Sequence, residues 1–373
     1  MSVGFGTHEL SFSPLEAHGP SISSQNVTHR GVAMEKIPVL IVHGFKDDAL
    51  SVLEPYRGKF LFRSEKAVTP DEVAAALDSF PDSEILYSIH TPTRWDSRWR
   101  LRWIQLHYAG ADHVLFDIIP DRVAVTTVSG VTGMAIAEHA FALILALRRR
   151  IPEMLSLQDS KTWLDMKSKW KKFARPLLNG ETVGILVYGS IGRQIGKIAQ
   201  AFGMDVLACK RNPHDKADRG FIIPGTGDPH GTIPRGYYGP DRLIEMLRVC
   251  DIIVNALPAT TETKQVIGRD AFAAMKQGAM FISVGRGATV DEGALIDSLE
   301  TGHLFGAGID VFQEEPLPPS HPFWRLDNVI ISPHVSGFFN RYDELSMMLF
   351  RENLDRYLAG RPLLNSIDRQ RGY

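Results

Sequence analysis

Cysteine is scarce in this chain. Cys209 and Cys250 are the two cysteines among 373 residues. Two are too few for a disulfide framework or a zinc site, and they fit a reducing compartment. We therefore predict no metal site and no disulfide.

Long apolar segments are missing as well. The best apolar run, residues 140–147, is far too short to cross a bilayer. The first thirty residues contain no continuous apolar stretch, so no secretory signal is visible. These features predict a cytoplasmic protein without a membrane partner.

An excess of positive charge is also absent. The chain has 41 Lys and Arg against 43 Asp and Glu, a net charge of −2. Phosphate binding needs a concentrated positive field, so we expect no nucleic-acid partner. The 44% hydrophobic and 23% charged content is typical of a soluble globular protein, and the length favours two domains.

Short apolar runs alternate with helical segments after an arm, residues 1–34, that is rich in Ser, His, Gly and Pro. Strands are predicted at 37–44, 85–89 and 103–106, a helix at 70–77, and a long helix at 135–150. A second series contains six predicted strands, at 182–187, 205–209, 252–256, 279–284, 306–310 and 329–331. This alternation predicts doubly wound parallel α/β architecture, in which ligands bind at the carboxyl ends of the strands.

A glycine-containing turn opens the second series. Residues 183–196 read V-G-I-L-V-Y-G-S-I-G-R-Q-I-G, a strand running through a turn into a helix. In a dinucleotide-binding turn, Gly189 would let the backbone approach a pyrophosphate, and Gly192 would let the helix pack closely on the sheet. Val187 stands where a first glycine is expected, and a β-branched residue resists positive φ, so we expect a redrawn turn. The predicted cofactor contacts here are Tyr188, Gly189, Ser190, Ile191 and Gly192.

Two cations follow the second strand of this series. Lys210 and Arg211 stand where an acidic residue would bind the ribose hydroxyls of NAD. Arg and Lys can instead bind a ribose 2′-phosphate, so we predict that NADP(H) is preferred and that NAD(H) is possible. The alternative is a pair of solvated surface cations.

Three downstream segments place titratable residues at or just beyond strand ends. They are S-V-G-R-G-A-T-V-D-E-G-A-L (283–295), G-A-G-I-D-V-F-Q-E-E-P-L (306–317) and I-S-P-H-V-S-G (331–337). With Y-A-G-A-D-H (108–113), A-I-A-E-H-A (135–140) and N-A-L-P-A-T-T-E-T (255–263), the chain resembles the D-isomer-specific 2-hydroxyacid dehydrogenase family over residues 85–365. That family includes glyoxylate/hydroxypyruvate reductases and phosphoglycerate dehydrogenases.

The resemblance implies roles for individual residues. Arg286 would bind substrate, Glu315 and His334 would form the catalytic pair, and Asp310 would bind the nicotinamide carboxamide. The further implied contacts are Tyr108, Ala109, Gly110 and Ala111 for the substrate, and Leu257, Pro258, Thr263, Val284 and Gly285 for the cofactor.

Physical chemistry gives these roles sense. An imidazolium at His334 can donate a proton near neutral pH, and a hydrogen-bonded Glu315 would orient the ring. Arg286 can hold a carboxylate in a planar fork of donors. Each residue also has a structural alternative: His334 could satisfy a loop carbonyl, Arg286 could pair with a surface acid, and Glu315 could cap a turn.

The implied architecture is two Rossmann-like domains. A flavodoxin-like substrate domain, residues 35–128 and 336–373, would contain an inserted NAD(P)-binding domain, residues 129–335, and the family suggests a homodimer. The implied function is NAD(P)H-dependent reduction of a small 2-oxo acid, such as glyoxylate or hydroxypyruvate, to the D-2-hydroxy acid, or the reverse oxidation.

Several alternatives stay open at the level of sequence. A dehydrogenase-like scaffold or corepressor regulated by NAD(P) is favoured by Val187 but disfavoured by the intact Arg286, Glu315 and His334. Oxidation of formate or phosphite is disfavoured by Glu315, where formate enzymes have glutamine. The insertion, residues 219–240, is dense in Gly and Pro and is expected to be a structured loop. It would fold over the adenosine end of the cofactor or form a surface excursion without a role. His113 and His139 are expected to be structural.

Overall fold

The computed structural model describes residues 35–45, 47–67, 69–112, 114–369 and 371. The described residues from Lys36 onward form one compact unit. The predicted arm at 1–34 and His113 lie outside the described residues.

The first half of the chain forms a five-stranded parallel sheet. Its strands are β1 (Ile37–Val42), β2 (Phe60–Glu65), β3 (Ile85–Ser88), β4 (Trp103–Leu106) and β5 (Ala124–Thr126). Their order, β2-β1-β3-β4-β5, is that of flavodoxin-like folds. Two helices accompany the sheet, α1 (Asp47–Leu50) and α2 (Pro70–Ser79). Thr69 begins α2 with a capping box, since its side chain accepts from Glu72 N–H and the Glu72 carboxylate accepts from Thr69 N–H.

The second half forms a seven-stranded parallel sheet. Its strands are β6 (Thr182–Leu186), β7 (Asp205–Cys209), β8 (Gly236–Tyr238), β9 (Ile252–Asn255), β10 (Ala279–Ser283), β11 (Leu304–Ile309) and β12 (Val329–Ile331). The order is β12-β11-β10-β9-β6-β7-β8, so the chain reverses direction across the sheet between β6 and β9. This is the doubly wound arrangement predicted from the sequence, with both faces of the sheet buried by apolar side chains.

Helices cover the second sheet and return to the first. They are α3 (Gly133–Arg148), α4 (Ile151–Asp159), α5 (Met166–Phe173), α6 (Ser190–Ala201), α7 (Leu243–Leu247), α8 (Arg269–Ala274), α9 (Glu292–Glu300) and α10 (Tyr342–Leu358). The C-terminal helix α10 buries Met347, Phe350 and Leu354 against side chains of β1 and β3. The chain therefore leaves the first sheet, builds the second, and comes back to complete the first.

The predicted long helix at 135–150 is interrupted. Helix α3 ends at Arg148, and Arg150 adopts a left-handed conformation with φ 55° before α4 begins. The guanidinium of Arg148 pairs with Glu181, and that of Arg150 pairs with Glu153. Two of the arginines at this helix end thus pair with acidic side chains.

Among the helices of the described residues, none combines the length and the apolar character needed to cross a membrane.

Candidate active site

The carboxyl end of the second sheet has the geometry of a ligand crevice. The chain runs from β6 to β7 on one side and from β9 to β10 on the other, so the connections that leave the adjacent strands β6 and β9 diverge. Such a switch point is where parallel α/β sheets bind ligands. The turn at 187–192 joins β6 to α6 at this point.

Val187 keeps the conformation that a glycine would adopt in this turn. Its φ is 73°, in the left-handed region that β-branched residues rarely occupy. The N–H groups of Val187 and Tyr188 both donate to the Cys209 carbonyl, at 3.1 and 3.2 Å. The expectation that valine redraws the turn is therefore wrong, because the neighbouring strand holds the backbone in place.

The packing role predicted for Gly192 is confirmed. A Cβ at this position would overlap the Val187 carbonyl oxygen and lie 2.9 Å from Cγ2 of Ile185, so only glycine lets α6 approach the sheet. Gly189 has ordinary space, with Cγ1 of Val187 at 3.6 Å from a built Cβ. No side chain caps the N-terminus of α6, so its first amides are available to an anion.

Tyr188 points into the protein rather than into the crevice. Its side chain has no exposed surface, and its hydroxyl donates to Oδ2 of Asp228 at 2.9 Å. Burial and the adjacent Asp228 carboxylate raise the pKa of this phenol well above its usual range. The cofactor contact predicted for Tyr188 is thereby restricted to its main chain.

The insertion is folded tightly against both halves of the molecule. On α6, the Gln194 side chain accepts from Gly227 N–H at 2.9 Å, and Lys197 donates to the Gly225 carbonyl at 2.7 Å. On the other side, the Phe221 ring packs in a buried cluster with Val128, Val131, Leu345 and Leu349. The segment therefore does not project from the surface, and whether it has a role in cofactor choice or none stays untested.

Asp228 organises the insertion from within. Its carboxylate accepts from Thr232 N–H at 2.9 Å, from Ile233 N–H at 3.0 Å, and from Tyr188. Burial alone would raise the pKa of Asp228, but these donors and the nearby Arg193 outweigh it and lower the pKa. Sequence reasoning missed this residue because its partners are set only by the folded loop.

The two cations after β7 have different surroundings. The Lys210 ammonium donates to the Asp215 carbonyl, and burial followed by the Arg193 charge lowers its pKa. Arg211 is exposed. Lys210 is therefore a partner of the following loop rather than a solvated cation.

His334 and Glu315 form a direct pair. The two side chains meet at 2.7 Å between Nδ1 of His334 and Oε2 of Glu315. Because an ionised carboxylate can only accept, Nδ1 carries the proton, and Nε2 is the nitrogen left for chemistry. The other Glu315 oxygen accepts from Phe312 N–H at 2.9 Å, which fixes the carboxylate.

The loop that carries His334 is held from below by Asp310. The Asp310 carboxylate accepts from Val335 N–H at 3.0 Å, from Ser336 N–H at 3.1 Å and from the Ser332 hydroxyl. These bonds hold His334 at φ 53°, an unfavourable conformation for a residue with a side chain. Since Asp310 has no exposed surface, its predicted contact with the carboxamide would require this loop to move.

His139 has the structural role expected of it. Its Nε2 lies 2.8 Å from the Ser332 hydroxyl, so α3 is tied to the His334 loop. Ser332 was not recognised from the sequence. Its place in the motif I-S-P-H-V-S-G, two residues before His334, was the only indication of this role in the sequence.

Arg286 lies against the loop predicted to hold the substrate carboxylate. Its Nε donates to Asp112 at 2.8 Å, and its Nη1 donates to the Gly285 carbonyl at 3.0 Å. A Cβ at Gly110 would overlap Nη2 of Arg286, so the glycine is what permits the approach. Asp112 was missed, although it follows Ala111 directly in the Y-A-G-A-D-H segment. The side chains of Arg286 and Asp112 are about one-third and two-fifths exposed, which leaves the pair accessible.

Close main-chain contacts join Arg286 to the histidine pair. A Cβ at Gly287 would overlap the Phe312 backbone, and Phe312 N–H binds Glu315. A Cβ at Gly285 would lie 2.5 Å from the Leu257 carbonyl oxygen. The ends of β9, β10 and β11 thus meet, as the sequence predicts, and bring Arg286, Glu315 and His334 into one region.

The remaining predicted residues lie along these loops. Thr263 donates from its hydroxyl to the Pro258 carbonyl at 2.6 Å, which closes the loop after β9, and Val284 is buried at the end of β10. Tyr108 is 44% exposed, and its carbonyl accepts from Val128 N–H at 3.0 Å. The turn at 189–192, with its uncapped helix and its room at Gly189, fits a bound dinucleotide phosphate.

Known proteins match this chain over most of its length. Residues 141–336 match the family described as D-isomer specific 2-hydroxyacid dehydrogenase, NAD binding domain. A glyoxylate reductase of Aeropyrum pernix is 32% identical over 250 residues, which cover 66% of this chain and 70% of that protein. A glyoxylate reductase of Thermococcus litoralis is 31% identical over 309 residues, 82% of this chain and 85% of that protein.

Solved structures agree. A D-isomer specific 2-hydroxyacid dehydrogenase from Xanthobacter autotrophicus, in complex with NADPH and MES, has a TM-score of 0.72 at 26% identity. The alignment covers 91% of this chain and all of that one. The crevice, its converging loops and these relatives lead to one conclusion: the chain belongs to the D-isomer-specific 2-hydroxyacid dehydrogenase family and is an NAD(P)-dependent oxidoreductase.

Proposed function

We propose that this protein reduces a small 2-oxo acid of the glyoxylate or hydroxypyruvate kind to the corresponding 2-hydroxy acid, with His334 as the acid and base. The observation that carries the proposal is the 2.7 Å contact between His334 Nδ1 and Glu315 Oε2. The reduced nicotinamide, when bound, supplies the hydride. His334 Nε2 supplies the proton that the developing alkoxide needs, and Glu315 holds the ring in the orientation and tautomer for that transfer.

Arg286 is proposed to hold and polarise the substrate. Nη2 lies against Gly110 and has no hydrogen-bond partner among the described residues, so it is the donor left for a substrate oxygen. Asp112 fixes the opposite side of the guanidinium through Nε. The main-chain amides of Ala109, Gly110 and Ala111 are proposed to bind the substrate carboxylate, with Tyr108 at the edge of the pocket. Glyoxylate is the natural first substrate to test because two relatives are glyoxylate reductases.

Cofactor choice is proposed to favour NADPH over NADH. No acid stands at the end of β7 to repel a 2′-phosphate, and the exposed Arg211 can meet one. The Xanthobacter autotrophicus relative was solved with NADPH. Lys210 is proposed to act indirectly, by positioning the loop through Asp215.

A homodimer is proposed as the assembled form. The segment 151–177 presents Trp163, Met166, Trp170 and Leu177 at the surface, with Trp163 89% exposed. A monomer rarely exposes so many large apolar side chains together, and such patches mark interfaces. The segment belongs to the predicted NAD(P)-binding domain, on which family dimers are expected to be built.

The experiment is a kinetic panel of glyoxylate, hydroxypyruvate and larger 2-oxo acids with NADPH and with NADH. We expect the wild-type enzyme to oxidise NADPH faster than NADH, and His334→Ala to lower kcat by about 10²- to 10⁴-fold, the usual contribution of a positioned acid. Glu315→Gln should lower kcat by less, because the ring keeps a weaker partner. Binding of NADPH, measured by its fluorescence, should change little in either variant.

His303→Ala is the matched control. His303 precedes β11 at its amino end, opposite the crevice, and contacts Gln277 and the Phe272 carbonyl. Its replacement should leave kcat unchanged. Wild-type protein that is folded yet inactive with every acid and both cofactors would overturn the proposal, and full activity of His334→Ala would remove that residue from it.

A further inference from the structure

Two histidines and an aspartate meet at a second place, in the first sheet. His43 follows β1, His107 follows β4, and these strands flank β3 on either side. Asp343 lies in the first turn of α10, which packs against this sheet. Three separate elements therefore deliver these side chains to the carboxyl end of the sheet, beside the loop that starts at Tyr108.

The three side chains have the separation of metal ligands. One ring nitrogen of each histidine and one carboxylate oxygen of Asp343 all lie within 4.8 Å of one another. Nε2 of His107 is 3.4 Å from Oδ1 of Asp343. Two ligand atoms that are each about 2.1 Å from a tetrahedral zinc ion lie about 3.4 Å apart. The separation is long for a hydrogen bond between the two groups.

Neighbouring groups orient the ligands. The hydroxyl of the fully buried Tyr87 lies 2.7 Å from Nδ1 of His107, which leaves Nε2 facing Asp343. The Tyr342 hydroxyl donates to the His107 carbonyl at 2.6 Å and so fixes the main chain of that residue. A metal-bound imidazole typically has such a partner on its second nitrogen.

His43 has an unsatisfied polar atom at this place. Its Nδ1 is buried and has no hydrogen-bond partner among the described residues. The ring lies between those of Phe45, at a centroid distance of 4.1 Å, and His107, at 4.2 Å. A buried ring nitrogen without a hydrogen-bond partner costs free energy. A cation bound by both His43 and His107 would offset that cost.

We propose that His43, His107 and Asp343 bind a divalent transition-metal ion such as Zn²⁺. Two imidazoles and one carboxylate form a ligand set that zinc uses, and three protein ligands leave a fourth position open. Asp343 is 42% exposed, so at least one of the proposed ligands is reached from solvent. The ion would tie the start of α10 to the ends of β1 and β4. The prediction of no metal site considered only cysteines and could not find this cluster.

The test measures zinc binding by calorimetry on protein that has been treated with a chelator. We expect one equivalent bound by the wild type and by His303→Ala, and loss of that equivalent in His107→Gln and Asp343→Asn. Tyr87→Phe should weaken binding by about 10- to 100-fold, as expected when the partner of a ligating histidine is removed. Cobalt bound at the same site should give visible absorption in the wild type. His107→Gln and Asp343→Asn should show no such absorption.

We expect Asp343→Asn to fold like the wild type, because the side chain is partly exposed and asparagine keeps its shape. Zinc should raise the Tm of wild type and His303→Ala, but not of Asp343→Asn, since only an ion bound by the folded state stabilises it. Wild type without a bound equivalent, or binding that is the same in wild type and Asp343→Asn, would overturn the proposal. The outcome is independent of the oxidoreductase assay.

Discussion

At the scale of single residues, Val187 shows how a local preference is overruled. Its left-handed backbone costs of the order of 1–3 kcal/mol for a β-branched residue. Two hydrogen bonds to the Cys209 carbonyl and the contact of its own carbonyl with Gly192 hold it there. The strain sits at the turn that is expected to face the cofactor.

Val187→Gly should therefore be tolerated unusually well. Glycine relieves the strain, which offsets its entropic cost of about 0.5–1 kcal/mol and the lost side-chain contacts. We expect the free energy of unfolding in urea to stay within about 0.5 kcal/mol of wild type.

Val183→Gly, in the preceding strand β6, is the comparison. Val183 is fully buried, and removal of its side chain should lower the free energy of unfolding by about 2 kcal/mol or more. Equal losses in the two variants would show that Val187 is not strained.

The residues proposed for catalysis could be found in the sequence, but their partners could not. Arg286, Glu315 and His334 stand in ordered motifs at strand ends, which a reader of the sequence can see. The pairing of Arg286 with Asp112 joins positions 174 apart, and no periodicity connects them. The partners of Asp310 could not be found in the sequence either. This residue was predicted to bind the nicotinamide carboxamide, but its carboxylate makes three contacts with the loop that carries His334.

At the scale of elements, the insertion depends on one carboxylate. Asp228→Asn keeps the shape but removes the charge and one acceptor, so a donor loses its partner. We expect the free energy of unfolding at pH 7 to fall by about 1–3 kcal/mol. Denaturant melts of both proteins measure the difference.

The pH dependence of that difference follows from the lowered pKa of Asp228. A carboxylate with a lowered pKa in the folded state stabilises fully above its ordinary value of 3.8, and the stabilisation is lost as pH falls through the folded-state pKa. The gap between wild type and Asp228→Asn should be constant from pH 7 to 5 and shrink below 3.8. Asp327→Asn, an exposed control, should show no gap, and a gap that grows on acidification would contradict the assignment.

Element prediction succeeded where strands are apolar and failed where they are short or polar. The predicted strands of the second sheet all appear. The prediction missed β8, which lies inside the segment expected to be a loop, because Gly236–Tyr238 is short and is bounded by Arg235 and Gly239. Strand β2 carries Arg63 and Glu65 at the sheet edge, and β5 has three residues. Their pairing with β1, β4 and β7 comes from the tertiary fold rather than from a local pattern.

At the scale of the whole molecule, the exposed aromatic surface of segment 151–177 gives the assembly prediction. Replacing Trp163 and Trp170 together by serine should raise the dimer dissociation constant by more than about 10-fold, because buried tryptophans are frequent hot spots. Sedimentation equilibrium measures it. Trp324→Ser, at a tryptophan that is 53% exposed on another element, should leave the constant unchanged, and a wild-type monomer at all concentrations would refute the prediction.

The domain boundaries at 128/129 and 335/336 stay a prediction. The strands of the two sheets fall on either side of them, and α10 returns to the first sheet. A reader of the sequence could place that return from the family pattern, whereas the contact of the insertion with both halves had no precedent in the motifs.

The contact of the insertion with both halves limits the domain motions that are open to the enzyme. Asn365, near the end of the chain, accepts from Phe221 N–H at 3.1 Å, while Gly225 and Gly227 are fastened to α6. A hinge motion that separates the two sheets must break the contacts of residues 219–240 on one side or move these residues together with one sheet. Any opening of the crevice by such a motion therefore also displaces residues 219–240, although none of them is proposed to take part in the chemistry.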